Sequence, residues 1–276
     1  MNTAPLHDSQ PFFTANRMMC SAANEQREAS GLHEMFDLIG VPLAHGEQLP
    51  ARPLTARRLA AGETLIFEGA LAASIHVVRS GSFKAFRTAE DGYEQVVGFM
   101  HRGDLIGCDA LAGDRHLVAA VALEDSNVFG IALPDFFALA QSHAAFDRGV
   151  MRAVSNAMID LTRLADMMAA VAAEVRLARF LIHLSQRLAA SGQAGKGLRL
   201  QMTRRDIGSY LGVAHETISR SFTVLSDLGL IEVDQRKVEI RDLAALHRFA
   251  QGTRVPAKAH LGILDAPRPA RAVALA

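Results

Sequence analysis

The stretch that most constrains how this chain can fold runs over residues 203–226 and reads TRRDIGSYLGVAHETISRSFTVLS. Ile207 and Leu211 lie four positions apart and share one face of a predicted helix, on which Gly208 permits a close crossing by a second helix. Gly212 has no Cβ and suits the turn that ends the first helix. The second helix would bury a stripe at helical spacing that consists of Ile218, Phe222 and Leu225. The pattern predicts a helix-turn-helix.

The free face of the second predicted helix carries three polar side chains near its start, Glu216, Ser219 and Arg220. Arginine can donate two hydrogen bonds to guanine, glutamate can accept one from cytosine, and serine can serve either kind of base edge. We therefore expect these residues to read bases in the major groove of double-stranded DNA. A helical hairpin whose charged face is merely solvated is the competing interpretation.

The flanks of this motif have their own patterns. Thr203 and Asp206 predict a helix N-cap with a partial capping box, and Thr203 and Arg204 are natural phosphate contacts. Ala214 stands where the second helix would favour a Ser or Thr cap, which should cost about 0.5 to 2 kcal/mol. The run IEVDQRKVEI at 231–240 alternates around a polar turn and predicts a β-hairpin, the wing of a winged helix. Residues 199–248 hold eight Lys or Arg against seven Asp or Glu, so affinity must come from local placement and dimerisation.

Upstream, residues 57–133 consist of short alternating or apolar runs separated by glycines. This pattern of short runs and glycines predicts a compact antiparallel β-barrel or jelly roll, and a β-sandwich of similar size is the alternative. The runs are TLIFEG, SIHVVRSGSFKAF, EQVVGFM and VAAVALEDSNVFGIAL.

A heptad pattern follows the barrel segment, with steps of three and four residues over about three repeats. Such a seam predicts a dimerisation helix, whereas a second apolar stripe at Ile159, Leu164, Met167 and Val171 would let the helix lie on its own barrel; both arrangements can hold together. The seam consists of Met151, Val154, Met158, Leu161, Ala165 and Met168.

These patterns together predict an α+β protein with an N-terminal antiparallel β-barrel or jelly roll, a long dimerisation helix and a C-terminal winged helix-turn-helix. The predicted boundaries are a mobile N-terminal arm at 1–50, a β-roll sensor domain at 51–140, the dimerisation helix at 141–173, the DNA-binding domain at 174–250 and a disordered tail at 251–276.

Composition is typical of a soluble globular protein with room for two domains: 276 residues, no formal net charge, 50% hydrophobic and 21% charged. No apolar run reaches about 18 residues and the N-terminus lacks a signal-peptide layout, so we expect a cytoplasmic protein with no membrane partner. Two cysteines, Cys20 and Cys108, are too few for a disulfide framework and are typical of a reducing compartment.

The order of β-barrel, long helix and winged helix resembles the CRP/FNR family of bacterial transcription regulators, from about Arg57 to Ala250. It is most similar to the FNR branch, whose recognition helix carries ExxSR, matched here by Glu216, Ser219 and Arg220. The resemblance implies a homodimer that reads a TTGAT-type inverted repeat, RNA polymerase as a partner, and activation. It also implies phosphate or secondary contacts from Thr203, Arg204, His215 and Thr217. The stretches that carry the resemblance are RSGSFKAF, GDLIG with CDALAG, MTRRDIGSYLGVAHETISR and LSDLGLIEV.

The chain departs from this family at its sensing residues. An iron-sulfur cluster needs four thiolates, and this chain has two cysteines, with Phe129 where the barrel ligand would lie. The cAMP-binding branch has a Gly-Glu pair and an arginine, whereas here Cys108 follows Gly107 and Val118 stands near the arginine position. We therefore expect neither cofactor, while haem binding through one of the eleven histidines stays open.

Two alternatives remain at this point. A cupin-like barrel metalloenzyme would need closely spaced histidines, and the barrel segment has only His76, His101 and His116, none in a paired motif, so we expect no metal and no enzyme. A constitutive member of the same family, regulated by its abundance, competes with a haem-responsive or nucleotide-responsive one.

Overall fold

The computed structural model describes residues 31–43, 49, 53–190 and 197–255. Its contacts divide the chain into two compact units, Met1–Phe83 with Met100–Ser155, and Lys84–Phe99 with Asn156–Ala276. The second unit thus contains a hairpin from within the predicted β-roll segment as well as the whole C-terminal region. The two units therefore do not coincide with the predicted β-roll and DNA-binding domains. Contacts between residues that are distant in the chain group residues 84–99 with the C-terminal region.

The β-roll contains two four-stranded antiparallel sheets, ordered β1-β8-β3-β6 and β2-β7-β4-β5. Alternating strand residues point inward, and Leu59, Val78 and Phe83 from different strands share one buried cluster, so the sheets form a jelly-roll-like core. The predicted antiparallel β-roll is confirmed. The strands are β1 Thr55–Leu59, β2 Thr64–Ile66, β3 Ser74–Ser80, β4 Phe83–Thr88, β5 Glu94–Met100, β6 Leu105–Ile106, β7 Ala119–Ala122 and β8 Ser126–Ala132.

A helix, α1, covers the described residues 31–38, inside the segment predicted to be a mobile arm. Leu32, Met35 and Phe36 are almost completely buried, and the Phe36 ring stacks on Phe146 with 5.2 Å between ring centroids. The arm prediction is therefore wrong for residues 31–43. The apolar residues of this segment have helical spacing, although the surrounding sequence shows no clear period. They form an apolar helix face that packs against the core of the β-roll. Residues 1–30, 44–48 and 50 of the predicted arm lie outside the described part of the chain.

Two helices follow the β-roll, α2 (Leu133–Ser142) and α3 (Ala144–Ala169). Pro134 lies in the first turn of α2, where its missing N–H costs no helical hydrogen bond. Phe146 and Val150 anchor the start of α3 in the core. The long helix predicted at 141–173 is present as α3, which begins slightly later and ends slightly earlier than predicted.

The C-terminal part of the second unit is a winged helix-turn-helix, as predicted. Two of its elements, β9 and α7, were not predicted. Strand β9 is only three residues long, and its partner β11 follows two helices and another strand later in the chain. Helix α7 lies in a segment taken as the end of the domain. The wing sheet has the order β10-β11-β9. The elements are α4 Ala173–Ala190, β9 Gly197–Arg199, α5 Arg204–Leu211, α6 His215–Asp227, β10 Ile231–Asp234, β11 Lys237–Ile240 and α7 Leu243–Gln251.

The predicted disordered tail at 251–276 falls mostly on residues 256–276, outside the described part of the chain. Across the residues that are described, no helix combines the length and apolar character that crossing a bilayer requires.

Candidate nucleic-acid interface

The start of α5 is closed by a full capping box. The backbone N–H of Asp206 donates to Thr203 Oγ1 at 3.1 Å, and the backbone N–H of Thr203 donates to Asp206 Oδ2 at 2.8 Å. Thr203 Oγ1 also donates to the same carboxylate oxygen at 2.6 Å. Burial alone would raise the pKa of Asp206, but hydrogen bonds from Thr203 and Lys84 outweigh it and hold that pKa below its usual value. The predicted cap is confirmed, and it fixes where α5 begins.

The face of α5 away from α6 is held by residues of the β4–β5 hairpin, within the same unit. Lys84 Nζ lies 2.9 Å from both Glu94 Oε2 and Asp206 Oδ1. Ser209 Oγ donates to the Glu94 carbonyl at 2.7 Å and accepts from the Val96 N–H at 2.8 Å. Ser209 thereby completes hydrogen bonds along an edge strand, and α5 has a fixed support on that side.

The turn between α5 and α6 is tight because two glycines allow it. Gly212 ends α5 at φ 65°, a left-handed conformation. A Cβ on Gly208 would lie 2.7 Å from the Val213 carbonyl oxygen, so only glycine fits at this crossing. Both roles were predicted from the sequence.

Helix α6 buries one stripe and exposes the other. Ile218 and Leu225 are fully buried and Phe222 is 4% exposed, as the spacing predicted. Ala214 is the N-cap residue and makes no capping hydrogen bond with its side chain, which also agrees with the prediction.

The three residues predicted to read bases lie together on the exposed stripe of α6. Glu216 is near the helix start, 3.2 Å from His215 Nε2, and its side chain is 58% exposed. Ser219 Oγ donates to the His215 carbonyl at 3.0 Å, which leaves its lone pairs available to accept. Among the described residues, none forms an ion pair or hydrogen bond with the Arg220 guanidinium. The structure thus brings a carboxylate, a hydroxyl and a guanidinium onto one accessible helix face.

The residues predicted as phosphate or secondary contacts occupy different environments. Thr203 and His215 are exposed, and Thr217 is half-buried on α6. Arg204 instead lies with its guanidinium over the Phe222 ring, 3.4 Å from the ring centroid. Thr203 is engaged in the capping box and His215 lies against Glu216, whereas Arg204 is the one of the four that stacks on a buried aromatic ring.

Three basic residues that the sequence reasoning passed over are also exposed, namely Arg205 in the first turn of α5 and Arg236 and Lys237 at the wing turn. Such side chains, at a helix start and on a wing, are suited to phosphate contacts. The signal for Arg236 and Lys237 in the sequence was the pair of basic letters in the turn of IEVDQRKVEI, and the signal for Arg205 was the second arginine of TRRD.

The β-roll contains a second cluster of functional groups, around the 3-10 turn Cys108–Leu111. Asp109 Oδ1 lies 2.9 Å from His116 Nδ1, and Asp109 Oδ2 accepts from the Leu117 N–H at 2.6 Å. Burial, with a smaller contribution from Asp109, raises the pKa of the Cys108 thiol to about 11. Both carboxylate oxygens of Asp109 are therefore engaged by the segment that follows the turn. The Cys108 thiol is protonated at neutral pH.

Comparison with known proteins matches both units. The family model of the cyclic nucleotide-binding domain matches residues 56–143, and that of the Crp-like helix-turn-helix domain matches residues 175–249. The chain is 36% identical over 214 residues to the transcriptional regulatory protein Btr of Bordetella pertussis, covering 76% of this chain and 87% of that protein. It is 35% identical over 196 residues to the transcriptional activator protein FnrA of Stutzerimonas stutzeri, covering 71% and 80%.

Among solved structures, FixK2 from Bradyrhizobium japonicum is similar with a TM-score of 0.64 and 26% sequence identity, covering 71% of this chain and 96% of that chain. The two matched domains, their order along the chain and the extent of these similarities show that the chain belongs to the CRP/FNR family of DNA-binding transcription regulators.

Proposed function

We propose that this regulator binds DNA as a homodimer whose two α6 helices read a TTGAT-type inverted repeat, and that it activates transcription through contact with RNA polymerase. The observation that carries the proposal is the exposed group of Glu216, Ser219 and Arg220 on α6. The guanidinium of Arg220 can donate two hydrogen bonds to a guanine, and Glu216 can accept from a cytosine amine. A rigid support beneath α6 keeps both groups at a defined distance from the groove.

A second copy of the chain is supported by the exposed apolar seam on α3. Met151, Met158 and Leu161 are 62%, 64% and 59% exposed, and Met168 is 42% exposed. A row of large apolar side chains at heptad spacing is the surface that a partner helix covers. A dimer with two-fold symmetry contributes two α6 helices, and half-sites about 34 Å apart on DNA offer one major groove to each helix.

The protein is a regulator and not an enzyme, which removes the cupin-like metalloenzyme from consideration. The barrel of a cupin-like metalloenzyme would need a cluster of metal ligands. Within the described ranges, no group of three or more His, Cys, Asp or Glu side chains could hold a metal ion.

We infer that the β-roll does not use an iron-sulfur cluster. The Phe129 ring is 5% exposed in the core and lies under the Arg79 guanidinium, 5.2 Å from it, so this position offers packing and no ligand. Cys108 supplies one thiol among the described residues, whereas a cluster of this kind is held by four thiolates. Cys20 lies outside the described residues.

A cyclic nucleotide also fits this β-roll poorly. Asp109 places a carboxylate in the 3-10 turn that follows Gly107, and Val118 supplies no compensating cation. Arg115 donates to the Gly69 carbonyl at 2.6 Å. An anionic phosphate buried beside a carboxylate would lose hydration without a counter-charge. A constitutive regulator, or one that senses a different ligand such as haem, therefore agrees better with the turn.

The base-reading role is tested by replacing Arg220 with alanine. Because a bidentate guanine contact discriminates against the wrong base, Arg220→Ala should lose about 1 to 3 kcal/mol of preference for the inverted repeat over a repeat with that guanine changed. Fluorescence anisotropy with both duplexes at one salt concentration measures this difference.

The matched control is Arg205→Ala, which removes an exposed arginine from α5. It should weaken binding to both duplexes equally, since phosphate contacts carry no sequence information. If Arg220→Ala discriminates as well as the wild type, the assignment of base reading to Arg220 is wrong.

A further inference from the structure

Arg204 touches three parts of the winged helix-turn-helix at once. It is the first residue of α5, its guanidinium lies 3.4 Å from the centroid of the Phe222 ring on α6, and its Nη2 donates to the Gln235 carbonyl at 3.4 Å. Gln235 lies in the turn between the two wing strands. A single side chain thus connects the first helix, the recognition helix and the wing.

The Arg204 side chain is half-buried against other parts of the same domain. Phe222 belongs to the buried stripe of α6, opposite the exposed stripe that carries Arg220. Arg204 Nη1 is shielded from solvent and has no hydrogen-bond partner among the described residues. Stacking of a planar guanidinium on an aromatic face is favourable, and it depends on the flat, delocalised cation of arginine. To reach a phosphate, the guanidinium would have to leave both Phe222 and Gln235.

The wing turn has a conformation that needs support. Gln235 has φ 50°, the one positive φ of a non-glycine residue in the described ranges. A side chain other than glycine is strained in this region and keeps it only where the surroundings hold it there. The Arg204 hydrogen bond acts on the carbonyl of this same residue, and the Arg236 carbonyl next to it accepts from the Leu200 N–H at 2.8 Å. The exposed Arg236 and Lys237 side chains project from this turn.

We propose that Arg204 is a positioning residue that sets the wing tip against the recognition helix, in place of the phosphate contact that its sequence position suggested. It holds Gln235 through a hydrogen bond and Phe222 through stacking, so that Arg236 and Lys237 meet the DNA backbone in register with the base-reading face of α6. This inference rests on the proposed DNA-binding function.

The test uses two variants. Arg204→Met removes both the charge and the guanidinium hydrogen-bond donors, and Arg204→Lys keeps the charge but loses the planar group that stacks on Phe222. In the free protein, amide hydrogen exchange over residues 231–240 should become about fivefold faster in both variants, because a stacked contact of this kind has been lost. If the role of Arg204 were to bind phosphate, replacing it would leave amide exchange in the wing unchanged when no DNA is present. Arg205→Met is the matched control, and its wing should exchange like that of the wild type.

DNA affinity supplies the second measurement. We expect Arg204→Lys to bind as weakly as Arg204→Met, and the loss in the Arg204→Met, Arg236→Ala double variant to be smaller than the sum of the single losses, because a displaced wing already misplaces Arg236. Lysine serves well as a phosphate contact. Full affinity in Arg204→Lys, with unchanged exchange in the wing, would overturn the positioning role.

The two proposals fail in different ways. If the wild-type protein binds no inverted repeat but the exchange changes appear, the base-reading function fails and the internal role of Arg204 stands. If the wild type binds and Arg204→Lys behaves like the wild type in both measurements, the positioning role alone fails. Circular dichroism of each variant confirms that the helices remain folded.

Discussion

At the scale of single residues, two histidines are held neutral by their surroundings. Burial lowers the pKa of His76 on β3 to about 4, with smaller contributions from Arg57 and His116. Burial also lowers the pKa of His183 on α4 to about 4, against an opposing effect from Asp160. Neither histidine is part of the DNA-binding surface, so their titration affects stability more than recognition.

This shift predicts a loss of stability in mild acid. An unfolded histidine has a pKa of about 6.5, so between about pH 6.5 and pH 4 the unfolded chain binds protons that the folded chain excludes. The stabilisation is complete above about pH 6.5 and is lost as the pH falls, by at most roughly 1.4 kcal/mol per pH unit for each histidine. Urea unfolding at pH 7.5 and pH 5 should show a smaller pH dependence for His183→Gln than for the wild type.

The exposed His247 on α7 offers the comparison. His247→Gln removes a histidine from an exposed position and is the matched control, which should keep the pH dependence of the wild type. Equal pH dependence in His183→Gln and the wild type would show that His183 does not contribute.

At the scale of elements, α5 is enclosed on two sides. Its Gly208 side meets the turn into α6, and its Ser209 side is bonded to Glu94 and Val96 of the β4–β5 hairpin. The first of these contacts was predictable, because it links residues within one short motif. The second contact links Ser209 to Glu94 and Val96, which are 115 and 113 residues away in the chain, so no local sequence pattern predicts it.

Gly208→Ala tests how closely the two helices cross. The added Cβ would lie 2.7 Å from the Val213 carbonyl oxygen, which is backbone and cannot move aside cheaply. We expect the free energy of unfolding to fall by about 1 to 3 kcal/mol, as for other overpacked sites, and specific DNA binding to weaken with it. Thermal unfolding and anisotropy on the same preparation measure both effects.

The control is Gly197→Ala at the start of β9, where an added Cβ meets nothing within 4 Å. It should leave stability and DNA binding close to those of the wild type. Unchanged stability in Gly208→Ala would mean that the crossing is looser than the structure shows.

At the scale of the whole molecule, the proposed homodimer depends on the exposed seam on α3. Met158→Glu or Leu161→Glu would place a charge in an apolar interface, where its desolvation opposes association. Each variant should sediment as a monomer at concentrations where the wild type sediments as a dimer. Each should also lose most of its affinity for the full inverted repeat, because one α6 helix reads only one half-site.

Asn156→Glu introduces the same charge on α3 at an exposed position outside the seam. It should remain dimeric. A dimer that persists in both seam variants would place the interface elsewhere on the molecule.

The sequence by itself determined the features that depend on neighbours a few positions away: the capping box at Thr203, the left-handed turn at Gly212, the buried stripe of α6 and the strand alternation of the β-roll. Turn and helix preferences are local, so short windows of residues contain them. Only the tertiary structure decided that residues 31–38 join the core, that Asp109 is paired with His116, and that Arg204 stacks on Phe222 and donates to Gln235. Those outcomes depend on which distant residues meet when the chain packs, and burial and hydrogen bonding then choose between the roles that one side chain could take.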